Sequence, residues 1–311
     1  AHVEQQGVWR IDGGMHRVAL ALAGLVGQLG GTIECGRRVE EIVVRDGRAA
    51  GVVATVAGAS REREEIAADA VVFNGDVAAL IRGRLGLLAS AAARPTAPND
   101  RSLSALTWNV VGRADGFPLD RHNVFFGADS RAEFDALFRD GRLPEDPTVY
   151  VCAQDRDAAA PADGTALERF LCLVNAPARG DVAPLSSQEI ERCRERMTNT
   201  LARCGLTIDT TPEHVVTTTP RDFDRLWPGS GGALYGRASH GWAASFRRPG
   251  ARSRIPGLYF AGGTVHPGPG VPMAALSGRQ AAASVIADRT RARRSISTSP
   301  APATPGGMST P

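Results

Sequence analysis

The sequence predicts an α/β fold of the doubly wound kind into which a mixed α+β domain is inserted. Three observations carry that expectation. Residues 257–286, GLYFAGGTVHPGPGVPMAALSGRQAAASVI, read as a short apolar strand, a turn crowded with Gly and Pro, and an Ala-rich helix. Ala70 to Phe73 is a short, wholly apolar run, as a parallel strand buried on both faces would be. Between these two, strand-like runs and helical stretches follow one another as a sheet of their own. The 311 residues suffice for two ordinary domains. The expected division is 1–82, the later part of a nucleotide-binding domain; 83–235, the inserted domain; 236–289, the returning strand, turn and helix; and 290–311, a tail.

Taken in order, Met15, Val18, Leu22, Leu25, Val26 and Leu29 share one helical face, and Gly30-Gly31 ends that helix. Ile42 to Arg45 and Ala49 to Val56 flank Asp46-Gly47, a two-residue hairpin signal. AAARPTAPNDR, 91–101, is a loop. Strands are expected at Leu103–Val111, Asn123–Phe126, Thr148–Ala153 and Leu167–Asn175, and helices at Ser130–Arg139 and Ser186–Cys204. From Thr290 the chain is rich in Arg, Ser, Thr and Pro and is expected to be disordered.

Composition removes several function classes. A net charge of +3 is too weak to argue for nucleic acid. Every basic residue is Arg, which excludes a Schiff-base or P-loop lysine. Cys35, Cys152, Cys172, Cys193 and Cys204 are scattered without a C-x-x-C, so a reduced, cytoplasmic protein with no metal site or redox pair is expected. The most lipid-like stretch, Val18 to Gly27, is about half of the ~20 residues a spanning helix needs. Any membrane contact is therefore expected to be peripheral.

The turn at 257–286 carries the chemistry. Pro272 suits the first turn of a helix, where its missing N–H costs nothing. The free N–H groups of Val271, Met273 and Ala274 would then face a ligand with partial negative charge. Ala274, Gly278 and Ala282 form a stripe of small residues along the helix. The residues alone leave open the plainer reading, a tight connection to a closely packed helix.

This segment resembles the C-terminal signature of the FAD-dependent carotenoid (phytoene-type) desaturases, relatives of the amine-oxidase flavoproteins. The matching residues are Gly262, Gly263, Thr264, His266, Pro267, Gly268, Gly270, Val271, Pro272 and Met273. The resemblance implies that the glycine turn passes the ribityl and pyrophosphate of FAD, and that the helix N-terminus addresses the pyrimidine side of the flavin ring. IDGGMHRVALAL resembles the family's helix entry near the flavin, through Gly13, Gly14 and Met15. CGRRVEEIVVRDGRAAGV resembles the strand whose backbone meets the adenine, with Val39 at that position. VVFNGDVAAL resembles the strand end before the substrate domain, through Asn74 and Asp76. The implied whole is a flavin amine-oxidase-like FAD/NAD(P)-binding fold with an inserted mixed-sheet domain for a carotenoid substrate. Within the family the resemblance is strongest to hydroxyneurosporene and methoxyneurosporene desaturases. That implies 3,4-desaturation of a 1-hydroxy- or 1-methoxy-carotenoid.

One part of the family pattern is absent. No strand, G-x-G-x-x-G and helix opens the chain, so the N-terminal βαβ unit is missing. The expectation is a C-terminal portion that needs an N-terminal segment, in cis or in trans, to hold FAD. The alternatives are a non-catalytic truncated fragment, half of a split desaturase, or a flavin amine oxidase, against which the missing aromatic cage and Lys count. No catalytic base is identified. His266 reads as structural, His240 as a loop residue or a substrate contact, and Asp222 as a turn cap. Trp227 and Tyr235 read as tunnel lining or core. Phe125 and Phe126 are expected on the tunnel wall, and Gly263 as the turn glycine that needs positive φ.

Overall fold

The computed structural model describes residues 7, 9, 11–56, 62–156, 166–238 and 247–297. Helix α1, His16–Gln28, forms where expected, but none of its residues is buried. Leu22, Leu25 and Leu29 stand 59%, 48% and 78% exposed. The apolar face read from the sequence is real, and no described element covers it.

Strands β1 (Arg37–Arg45) and β2 (Arg48–Val56) form the expected hairpin. Its turn residues Asp46 and Gly47 have φ of 50° and 71°, the left-handed pair that matches the twist of the flanking strands. β3 (Arg63–Ala67) adds antiparallel to β2. β4 (Val71–Phe73) pairs in parallel with β11 (Leu258–Phe260), as a doubly wound sheet requires. The expectation of full burial fails for β4. Its one strand neighbour among the described residues is β11, and Val72 is 48% exposed. β11 itself is buried throughout. Ile42, Leu80, Ala89, Leu258, Phe260 and Val265 meet in one hydrophobic core. Helix α2, Val77–Ile81, begins there, capped by Asp76, whose Oδ1 accepts from the Ala78 N–H at 2.8 Å.

The central residues build a third sheet, ordered β10-β5-β8-β7-β6, with β9 on the far end of β5. β5 is Ser104–Gly116, β6 His122–Phe125, β7 Val149–Ala153, β8 Glu168–Ala176, β9 Leu206–Asp209 and β10 Val215–Thr218. Every pairing in it is antiparallel. Helix α3 (Ser130–Asp135) runs into a π turn. Helix α4 (Ser187–Arg203), started by a Ser186–Glu189 capping box, lays Cys193, Met197 and Leu201 on a core with Trp108, Val151, Phe170 and Val174. Strand side chains alternate between faces. The other face therefore carries Leu171 and Leu173, half-buried, and Val124 and Val216, exposed. Phe125 belongs to the α4 side at 4% exposure, stacked edge-on to Phe117, so it is core and not tunnel wall. Phe126 is 73% exposed.

Helix α5 (Pro220–Leu226) carries a capping box of Thr219 and Asp222, so Asp222 is a cap, as read from the sequence. A buried ion pair ties the central sheet's flank to α2: Arg101 meets Asp181 through two 2.8 Å bonds, and Arg82 reaches the same carboxylate. Helix α6 (Val271–Ser297) runs past Thr290, where disorder was expected. Just before that point, Asp288 pairs with Arg252 and Arg289 with Asp69. Residues 298–311 and His240 lie outside the described residues.

Candidate functional site

The carboxyl ends of the parallel pair β4–β11 are where open α/β sheets place ligands. The chain leaves β11 with the Ala261 N–H on the Phe73 carbonyl at 3.1 Å and turns at Gly262, whose φ is 117°. A Cβ at Gly262 would stand 2.8 Å from Asn74 Oδ1, so strand end and turn fit only with glycine there. Gly263 was expected to carry that demand and does not. It lacks a positive φ, and a Cβ would meet only Pro269 Cα at an ordinary 3.6 Å.

Gly262 also donates its N–H to Ser277 Oγ at 2.8 Å, and the Ser277 hydroxyl donates to the Ala274 carbonyl at 2.6 Å. Ser277 is fully buried on α6, with Ala281 one turn on. Sequence reading missed Ser277 because the stripe Ala274, Gly278, Ala282 looked like the packing face. The face that packs is the neighbouring one, and Ala282 is exposed. At the start of α6, the Ala274 N–H is already bonded to the Gly270 carbonyl at 2.8 Å. That corrects the expected trio of free donors. Val271 and Met273 precede the first helical bond, and Pro272 between them has no N–H. His266 donates its backbone N–H to the Pro249 carbonyl at 2.8 Å, a structural role.

The remaining predicted residues lie on other segments, and Arg248 joins one of them to the turn by donating to the carbonyls of both Tyr235 and Gly263. Gly13 and Gly14 have φ of 78° and 88° and lead through Met15 into the exposed α1. Val39 lies on β1, the edge strand of its sheet, beside a register shift at Glu40, and is 41% exposed. Trp227 and Tyr235 are each 49% exposed, so neither is core.

A cavity of about 680 Å³ adjoins the turn, with Asp76, Arg94, Arg247, Arg248, Arg254 and Thr264 in its wall. Burial pushes the Asp76 carboxyl above the usual range, against the pull of the Ala78 N–H and the Arg101 and Arg248 charges. Arg248 is 5% exposed and donates to the carbonyls of Tyr235 and Arg237, each at 2.8 Å. Burial lowers its pKa. No residue pattern signals this role, because its acceptors are backbone groups.

Residues 1–286 match the model of the flavin containing amine oxidoreductases. The chain belongs to that family. Over 313 aligned residues it is 53% identical to a hydroxyneurosporene desaturase of Rubrivivax gelatinosus, covering 100% of this chain and 57% of the relative. A hydroxyneurosporene desaturase of Cereibacter sphaeroides is 44% identical over 92% of this chain and 55% of its own. The chain thus spans a little over half the length of these curated relatives. In fold it is similar to an oxidoreductase from Methanosarcina mazei, at a TM-score of 0.50 and 20% identity, over 85% of this chain and 53% of that one. The similarity to carotenoid desaturases expected from HPGPGVPM holds.

The turn fits the family's flavin. Thr264 Oγ1 is buried with no hydrogen-bond partner, a group that a bound polar ligand would satisfy. The first-turn donors of Val271 and Met273 suit an electron-rich ring edge. Among the described residues no group of three or more His, Cys, Asp or Glu is placed to hold a metal ion.

Proposed function

We propose that the protein acts as an FAD-dependent desaturase of an acyclic carotenoid, placing a 3,4 double bond in a 1-hydroxy- or 1-methoxy-carotenoid. The observation that carries this reading is the uninterrupted turn and helix, Gly262 to Met273, in a chain 53% identical throughout to a protein named hydroxyneurosporene desaturase. When bound, the flavin supplies the acceptor for a hydride from one saturated carbon of the substrate.

The chain's own residues hold and orient. Gly262, fixed by Ser277, sets the path of the turn. Thr264 offers its hydroxyl to the cofactor. The start of α6 presents N–H groups at Val271 and Met273, so its dipole favours added negative charge. The open sheet face, with Val124, Leu171, Leu173 and Val216, offers apolar side chains for a polyene to lie against. Gly13, Gly14 and Met15 near the flavin and Val39 at the adenine complete the assignment. Residues 83–235 are assigned to the substrate and 1–82 with 236–289 to FAD.

The pyrophosphate is held, in this reading, by a segment outside the 311 residues. The open edge of β4 and the uncovered face of α1 support that. No described helix is long and apolar enough to cross a membrane. Contact with the lipid that carries the substrate is proposed to be peripheral. Expression of the complete gene in cells that accumulate 1-hydroxyneurosporene tests the reading, through the pigment formed.

A further inference from the structure

The 680 Å³ cavity beside the turn is lined by eight arginines and one carboxylate, Asp76. Five of the arginines are accounted for. Arg82 and Arg101 pair with Asp181, Arg237 with Asp100 and Arg252 with Asp288. Arg248 is buried against backbone carbonyls. The other three, Arg94, Arg247 and Arg254, are exposed on the wall with no carboxylate partner among the described residues. The Arg254 N–H holds the Ala92 carbonyl at 2.9 Å, which keeps the loop of Arg94 beside it. Like charges gathered in a concave wall repel one another, and an anion entering among them relieves that repulsion. Guanidinium groups match phosphate oxygens in a bidentate fork.

The chain on either side of the lining glycines has a second character. Leu226 and Trp227, at the end of α5, are 61% and 49% exposed, two residues before the lining Gly229. Tyr235, 49% exposed, adjoins the lining Gly236. Trp and Tyr next to Arg is the composition of a surface that meets a bilayer at headgroup depth.

We propose that the arginine wall of this cavity, with Thr264 at the turn left to the cofactor, is a phosphate site for the headgroup of an anionic membrane phospholipid, held by Arg94, Arg247 and Arg254. The choice of a lipid as the phosphate's source rests on the carotenoid reading, since such a substrate is dissolved in membrane. The site then docks the protein with its arginine rim against the leaflet.

Flotation of the complete gene product with vesicles tests this. Vesicles of phosphatidylcholine alone are compared with vesicles containing phosphatidylglycerol. The expected result is preference for the anionic vesicles, falling as salt rises. The triple variant Arg94→Gln, Arg247→Gln, Arg254→Gln should lose that partitioning by about fivefold per arginine, on the order of 100-fold together. A triple Arg→Lys variant keeps the charge and loses the bidentate fork, so it should retain only part of that partitioning. Circular dichroism and flavin absorbance of each variant should match the parent protein, which separates loss of the site from unfolding. Unchanged partitioning of the Gln variant overturns the proposal. Binding of inorganic phosphate at these arginines without vesicle binding overturns the lipid assignment. The flotation assay needs no pigment turnover, so failure of the desaturase reading is seen separately.

Discussion

The backbone N–H of Gly262 is bonded to Ser277 Oγ at 2.8 Å, which ties the turn after β11 to the second turn of the helix it leads into. Ser277 is fully buried, and its own hydroxyl proton is already committed to the Ala274 carbonyl. Replacing Ser277 by Ala leaves a buried N–H without a partner. The expected cost is about 1–3 kcal/mol, read as a lower midpoint in denaturant, together with weaker flavin retention. An unchanged midpoint would mean that the turn holds its shape without the helix.

The two glycines of the turn should respond differently. Gly262→Val asks a β-branched residue to adopt a φ of 117° and to stand 2.8 Å from Asn74 Oδ1. Flavin absorbance of the purified complete protein should disappear while the central sheet's circular dichroism signal persists. Gly263→Ala meets neither obstacle and should keep its flavin. Equal loss in both variants would contradict the assignment of the strain to Gly262.

Asp181 links pH to stability. Burial alone would raise its pKa, but the hydrogen bonds and charges of Arg101 and Arg82 outweigh that and hold it at about 2. A depressed folded-state pKa contributes stability that is complete above the unfolded carboxylate value and is lost as pH falls towards the folded one. The window is therefore about pH 4 down to about pH 2. Asp181→Ala leaves Arg101, 7% exposed, without its charge partner, and should cost about 3–5 kcal/mol at neutral pH. Denaturant midpoints measured across that window should slope in the parent protein and flatten in the variant.

The open sheet face can be tested without touching the turn. Leu171→Asp and Leu173→Asp place charge where a polyene is proposed to lie and should abolish pigment conversion with flavin still bound. Phe125→Asp should instead prevent folding, because Phe125 lies in the core. Conversion surviving both leucine changes would move the substrate elsewhere.

Residues 1–311 by themselves are expected to bind FAD weakly. The uncovered β4 edge and α1 face offer no described group for a pyrophosphate, which this fold type sets on the first helix of a βαβ unit. Fluorescence titration should show little binding until the proposed pyrophosphate-binding segment is supplied in cis or in trans. Stoichiometric binding at micromolar affinity or tighter by the 311 residues would contradict this.

The sequence made local chemistry legible. Asp46-Gly47 specified its hairpin because both residues tolerate positive φ. The strands expected at Thr148–Ala153 and Leu167–Asn175 are β7 and β8, and the helix expected at Ser186–Cys204 is α4. What stayed hidden depends on neighbours distant in sequence. Asn74 decides which turn glycine is strained, and no reading of GGT alone supplies that. Asp69 and Arg252 pair with Arg289 and Asp288, just before the stretch from Thr290 where composition suggested disorder and α6 continues. The short strands β9 and β10 gain their character from pairing with β5, and their own four residues carry too little pattern to show it.

Pigment analysis tests the proposed carotenoid desaturation. The complete gene, expressed in cells that accumulate 1-hydroxyneurosporene, should yield a pigment lighter by two hydrogens, with absorption shifted to longer wavelength by one further conjugated double bond. The Gly262→Val variant should leave the substrate unchanged. Unaltered 1-hydroxyneurosporene in the presence of a flavin-loaded parent protein would contradict the account.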